Sequence, residues 1–314
     1  MTTGKHKYPM AGDEPDYPAL ELEDGVEQET VTVWAGGVAM DADLFRPANL
    51  SEDDRVPAII LSHGWGGSKR STDRYGALFA ANGMIALCVT QVGWGKSGSH
   101  LLQVGTLPDS TGDEAVNASV KSVRKFVDPV QWVASCRAGV DFLLGEPNVD
   151  ADRIGAWGTS FGGGVAMYLA AHDSRIKALS VQVSALLSIQ GPMRQHAQMR
   201  ATAIARGDLP AIPVGVDTMP NLAGSVHFAK ALEYDVIDAA RHLTIPTLMI
   251  DGADEEMFDT SDNSGKAYEI LKENNVPVQY EVFDGTDHYG IYFQGFEKGS
   301  QLATDWFVKH LKET

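Results

Sequence analysis

The sequence predicts an α/β protein with a mostly parallel central sheet flanked by helices and a helical cap insertion late in the chain. Three observations carry this. From about residue 30, short apolar, β-branched runs alternate with longer amphipathic segments, the pattern of strands joined by crossover helices. A glycine-rich turn around residue 160 separates a strand-like run from a helix-like one. Between about 185 and 242 the strand rhythm stops, and then it resumes.

Each element follows from local pattern. Thr30 to Trp34 and Ala39 to Phe45 read as two strands joined at Gly36-Gly37, a hairpin that makes this edge antiparallel. Ala58 to Ser62 and Ile85 to Thr90 are nearly continuous apolar runs, as expected of strands covered on both faces, with a helix over 74–82 between them. Gln131 to Leu144 has apolar positions at helical spacing and stops at Gly145. Asp150 to Arg153 reads as a polar turn, Ile154 to Trp157 as a strand, and Phe161 to His172 as a helix. After the insertion come a strand at Thr247 to Asp251, a helix at Ser264 to Asn274, a strand at Val278 to Phe283 and a closing helix at Gln301 to Leu311. The expected organisation is an N-terminal extension over 1–29 and one α/β domain over 30–314, with the cap at about 185–242.

Composition bounds the function. The 314 residues, 44% apolar and 21% charged, suit one globular core with an insertion and exclude a disordered chain. Residues 1–25 contain no apolar run of the kind a secretory signal needs, and no stretch reaches membrane-span length, so a cytoplasmic location is expected. Cys88 and Cys136 lie in apolar runs and read as buried thiols rather than a disulfide. A formal charge of −17 repels phosphate backbones and anionic lipid, so neither nucleic acid nor a membrane is an expected partner.

Gly158-Thr159-Ser160-Phe161-Gly162 matches G-x-S-x-G and falls between the expected strand and helix, the context that gives the pattern meaning. A serine hydroxyl is a weak nucleophile and must stand exposed on a tight turn beside a base. Flanking glycines clear that turn and its close helix packing. Through this region, VDADRIGAWGTSFGGGVAMYLAAHDSRIKAL, the chain resembles the α/β-hydrolase superfamily, in particular its branch of dienelactone hydrolases and prolyl-oligopeptidase-like and Xaa-Pro dipeptidyl-peptidase-like enzymes. The resemblance runs from about residue 30 to 311 and weakens across the cap.

The resemblance implies the remaining site residues. His63-Gly64-Trp65-Gly66-Gly67 follows the third expected strand, where the family builds half of its oxyanion hole, so the backbone N–H groups of Trp65 and Phe161 are the expected donors. Gly93-Trp94-Gly95-Lys96-Ser97-Gly98 resembles a family segment after the fourth strand, but Thr90 and Val92 stand where Asp and Arg are usual, a departure that bears on local polar bracing and not on catalysis. Trp94 is a candidate pocket wall. In superfamily order an acid and then a histidine follow the serine, which selects His288 in the loop after Val278 to Phe283, with Tyr289 beside it as a second candidate for substrate contact. His310 also follows the acids but sits on the closing helix. Five carboxylates, Asp251, Asp254, Glu255, Glu256 and Asp259, crowd the end of one strand; the family spacing from Gly252 selects Glu255, with Asp254 the alternative.

The expected activity is hydrolysis of a carboxylic ester through an acyl-enzyme, with Ser160 as nucleophile, His288 as general base and Glu255 orienting it. The expected partner is a small-molecule ester; no cofactor or metal is expected, and a homodimer is left open. Met193, Met199, Phe228 and Tyr234 in the cap either line a pocket or pack the cap onto the body. Two other readings stand beside esterase: a peptidase of the Xaa-Pro type, which the modest length of cap and extension argues against, and a non-catalytic binding protein on the same fold.

Overall fold

A computed structural model describes residues 7–106, 112–113 and 115–313. Eight strands form its central sheet: β1 (Val26–Ala35), β2 (Val38–Pro47), β3 (Val56–Ser62), β4 (Ile85–Val89), β5 (Val149–Thr159), β6 (Ile176–Gln182), β7 (Thr247–Gly252) and β8 (Val278–Phe283). Their order across the sheet is β8-β7-β6-β5-β3-β4-β2-β1. Only β2 runs against its neighbours β1 and β4; every pairing from β4 to β8 is parallel. The hairpin joining β1 to β2 turns at Gly36 and Gly37, both at positive φ, with Ala35 opposite Val38.

The pleat sorts the core into two layers. Along β3, Ala58 and Ile60 face one side while Ile59 and Leu61 face the other. Helices α1 (Asp73–Ala81) and α7 (Phe296–Phe307) cover the second side, through Tyr75, Phe79 and Phe307. Helices α2 (Pro129–Leu144), α3 (Phe161–His172), α5 (Val236–Ala240) and α6 (Ser264–Glu273) cover the first. Helix α2 begins earlier than its apolar spacing indicates, because Asp128 caps it by accepting from the N–H groups of Val130 and Gln131 and proline occupies its first position.

One local reading is corrected. The polar run Asp150 to Arg153 is not a separate turn but the start of β5, where the pairing with β3 jumps from Val149 opposite Val56 to Ile154 opposite Ala58. Asp150 accepts from the N–H of Asp152 and from Arg153, so turn chemistry survives inside the strand as an irregularity in the pairing. The closing helix also starts earlier than expected, at Phe296, and its last turn, Val308–Lys312, widens into a π-helical turn.

Between β6 and β7 the chain leaves the sheet and builds α4 (Gly191–Ala205), a short 3₁₀ helix at Phe228–Glu233 and α5. The insertion is tied down by a parallel pairing of Ser225–Val226 with Phe126–Val127, and Asp217 braces it internally by accepting from the guanidinium of Arg200. At the other end of the chain, residues 7–17 fold back across the carboxyl edge of the sheet, with Met10–Ala11 pairing to Glu14–Pro15. No helix among the described residues is long and apolar enough to cross a membrane.

Trp157, 1% exposed on β5, stacks on Tyr75 of α1 at 4.3 Å and fixes the layer directly beneath the turn at residue 160. Replacing it by Ala is expected to cost about 3–5 kcal/mol by loss of contacts and creation of a cavity; urea unfolding measures this, and a cost below about 1 kcal/mol would contradict the packing described.

Candidate active site

The parallel strands converge on one edge, where β5 ends and α3 begins at Ser160. Ser160 has φ 53° and ψ −127°, a conformation that side chains rarely adopt and that the surroundings must enforce. They do so by close backbone approach. A Cβ on Gly162 would lie 2.2 Å from the carbonyl oxygen of His63, one on Gly158 would lie 2.3 Å from that of Gly162, and one on Gly164 would lie 2.4 Å from that of Ala185. Thus α3 presses against the end of β3, and the serine is left standing at its N-terminus.

His288 and Glu255 reach Ser160 from neighbouring loops. His288 Nε2 lies 3.1 Å from Ser160 Oγ, and Nδ1 lies 2.8 Å from Glu255 Oε2. Both the His288 and Glu255 side chains are withdrawn from solvent, at 2% and 1% exposure. Glu255 Oε1 accepts from the N–H of Met257, and Glu256 accepts from the backbone N–H of His288, so two adjacent carboxylates fix the histidine loop in different ways. Asp254, the alternative acid, is exposed and touches the loop through its N–H, which donates to the Thr286 carbonyl. Phe258 and Tyr289 stand edge-on against the imidazole at 5.4 and 5.3 Å. His310 lies on the closing helix against Trp306, away from this cluster.

The loop after β3 approaches the serine from the other side. A Cβ on Gly64 would lie 2.8 Å from Ser160 Cβ, which brings the Gly64–Trp65 peptide beside the hydroxyl. Neither Trp65 N–H nor Phe161 N–H donates in the described turn and loop bonds, and Phe161 is the first residue of α3, where an N–H has no intrahelical acceptor. His63 braces this loop from within the core: its Nδ1 donates to the Gly64 carbonyl, and its Nε2 accepts from the N–H of Gln91. Burial pushes the His63 pKa down to about 4, which keeps the ring neutral.

Trp65 and Phe161 form an edge-to-face pair at 5.7 Å, and the Trp65 indole donates to the carbonyl of Ala223 in the cap. Two cavities meet at Ser160. The larger, about 240 Å³, runs under the cap between Trp65, Phe161, Met193, Phe228, Tyr234 and Phe258. The smaller, about 20 Å³, is bounded by Gly64, His288, Tyr289, Tyr292 and residues 13–17 of the N-terminal segment. Met193, Phe228 and Tyr234 therefore border the site, whereas Met199 is exposed on the cap surface and borders neither cavity.

Trp94 does not join this site. It is 2% exposed and packs edge-on against Trp132, bordering neither cavity that touches Ser160. The polar bracing missing from Thr90 and Val92 comes from Arg124, whose guanidinium donates to the carbonyls of Gly95 and Ser97, while Ser97 Oγ donates to the Thr90 carbonyl. Sequence reasoning also missed a buried polar row beneath Ser160, in which Tyr75 and Gln182 reach Thr159, whose hydroxyl pairs with that of Tyr292 at 2.6 Å. Gly252 allows the end of β7 to meet the His288 loop, since a Cβ there would lie 2.0 Å from the Thr286 carbonyl.

The neutral, buried His63 has a pH signature. Its folded-state pKa lies below the ordinary value of 6.5, so the unfolded chain binds more protons between pH 6.5 and 4. Stability tied to this ring is complete above 6.5 and is lost as pH falls toward 4, by up to about 3 kcal/mol. The difference in unfolding free energy between the parent and His63→Ala should shrink across that window, other titrations cancelling in the difference. A constant difference in urea titrations at pH 7 and pH 4 would contradict the assignment.

Comparison with known proteins places this arrangement. The pattern of the X-Pro dipeptidyl-peptidase (S15 family) matches residues 36–207, more than half of the chain, and that of the BAAT / acyl-CoA thioester hydrolase C-terminal region matches residues 137–292. An uncharacterized protein of Pseudomonas aeruginosa, PA2218, is 29% identical over 144 residues, 46% of this chain and 33% of that protein. The quorum-quenching protein AidA of Acinetobacter baumannii is 27% identical over 146 residues, 46% of this chain and 40% of that protein. These matches thus span well under half the length of either relative. Among solved structures, the α/β hydrolase GrgF from Penicillium sp. sh18 superposes with a TM-score of 0.66 at 20% identity, covering 91% of this chain and 99% of the other, a likeness of fold. With an eight-stranded sheet of this order and a serine at the turn after β5, the chain is an α/β hydrolase that belongs to the X-Pro dipeptidyl-peptidase (S15) family.

Proposed function

We propose that the chain is a serine carboxylesterase acting on apolar acyl groups. Ser160 Oγ attacks the ester carbonyl while His288 Nε2 takes its proton. Glu255 holds the ring and stabilises the imidazolium. The N–H groups of Trp65 and Phe161 receive the oxyanion, an arrangement in which a single donor is typically worth about 3 kcal/mol of barrier. His288 then returns the proton to the departing alcohol, and water attacks the acyl-enzyme by the same route.

The observation that carries the reading is the cavity of about 240 Å³ that opens on Ser160, because no charged side chain among the described residues lines it. An apolar acyl chain gains from entering such a space. A peptide with a free ammonium group would be desolvated there without a counterion. The family match favours a second reading, cleavage of Xaa-Pro peptides by the same serine. The two differ in what the pocket must hold.

Ethyl esters of straight-chain acids, followed by pH-stat titration, separate them. Each methylene that enters the cavity is worth about 0.8 kcal/mol, so kcat/KM should rise about fourfold per added carbon until the cavity is filled. Ser160→Ala should abolish this turnover, and Glu255→Gln should lower kcat by about 10³–10⁴ through loss of imidazole orientation. Xaa-Pro anilides hydrolysed faster than any ethyl ester would reverse the reading.

A further inference from the structure

The N-terminal segment lies on the catalytic loops rather than beside the body, and its anchors are specific. Tyr8 stacks on Phe293 at 4.5 Å, and its hydroxyl donates to Asp287, the residue preceding His288 in sequence. Glu14 accepts from both the N–H and the hydroxyl of Ser68, at 3.0 and 2.8 Å, one residue beyond the glycine-rich loop after β3. Lys125 pairs with Asp13, and Tyr17 packs edge-on against Tyr292. The strap thereby bridges the loop that carries Trp65 and the loop that carries His288. Its Pro15 and Tyr17 are buried, against the chamber that holds Ser160 and His288.

The two cavities at Ser160 are unequal in role as well as size. In ester cleavage the departing alcohol must receive its proton from His288, so it lies on the side where that ring is exposed to the site. His288 lines the chamber of about 20 Å³ under the strap and does not line the apolar cavity under the cap. About 10–15 Å³ is the least space that holds one water, so the strapped chamber accommodates the hydrolytic water and little more.

From this geometry we infer that the strap, through Asp13 to Tyr17, is the specificity element on the leaving-group side and selects esters whose alcohol is small. This rests on the esterase reading and adds the substrate class: an apolar acyl group joined to a short alcohol such as methanol or ethanol. An aryl alcohol or a peptide amine requires the strap to be displaced.

The test compares two reagents that phosphorylate the serine with the same diethyl phosphoryl group: diethyl phosphorofluoridate, which expels fluoride, and diethyl 4-nitrophenyl phosphate, which expels a bulky phenoxide. Modification of Ser160 is followed by intact mass on the full-length parent and on Pro15→Gly and Glu14→Ala. The expected result is a rate ratio, large over small leaving group, that rises at least about tenfold in both variants relative to the parent. A ratio unchanged from the parent, with both rates falling together, would mean that the strap only supports the catalytic loops and would overturn the inference. Because the fluoridate rate reports whether each variant is folded and competent, a variant that loses both rates is replaced by the conservative Pro15→Ala, read by the same ratio. Modification of the parent by neither reagent would instead overturn the nucleophile assignment itself, which separates failure of the catalytic reading from failure of this one.

Discussion

Everything at this site depends on one strained residue. Ser160 is held at positive φ because the end of β3, the start of α3 and the segment after β6 come together too closely for any side chain at Gly158, Gly162 or Gly164. The cost of that backbone conformation, of order 1–3 kcal/mol, is sustained by burial around it. Trp157, Tyr75, Trp132 and Phe161 fill the layers on either side of the turn. The strain places the hydroxyl on the outside of the turn. Phe161 follows as the first residue of α3, where its N–H has no acceptor among the described bonds, the property an oxyanion site requires.

Around that turn the protein assembles segments from five parts of the chain. β7 and β8 deliver Glu255 and His288, β3 delivers Trp65, the cap closes over an apolar cavity, and the N-terminal segment closes the opposite side. The links between these parts are directional. The Trp65 indole ties the loop after β3 to the cap carbonyl of Ala223, Glu14 ties the same loop to the strap, and Asp287 ties the strap to the histidine loop. The net charge of −17 contrasts with the cavity under the cap, which no charged side chain among the described residues lines. An apolar interior under a strongly acidic chain suits a neutral substrate with an apolar tail.

Much of this was legible in the sequence. The strand and helix around Ser160 follow from periodicity, and the resemblance to the family's spacing from Gly252 favours the carboxylate that meets His288 over its neighbour Asp254. What remained hidden depends on contacts between distant segments. Asp150 to Arg153 carries turn residues, yet pairing of Val149 with β3 draws it into a strand. Trp94 sits in a glycine-rich loop near the site, but its ring turns inward onto Trp132, a direction that composition does not encode. Arg124 replaces an expected bracing group from about 30 residues away, and the strap reaches its partners across some 280 positions. The acidic, proline-containing start of the chain offers no periodicity from which such docking could be read.

The central claim is that an apolar acyl group, attached to Ser160, lies under the cap with its oxygen held by the N–H groups of Trp65 and Phe161. A crystal structure of the protein inhibited by a long-chain alkyl trifluoromethyl ketone tests it most directly. The account predicts a hemiketal on Ser160 Oγ, its oxygen within about 3 Å of both N–H groups, and an alkyl chain running between Met193, Phe228 and Tyr234. A chain lodged instead against Pro15 and Tyr289, or an adduct whose oxygen points away from Trp65 and Phe161, would contradict it.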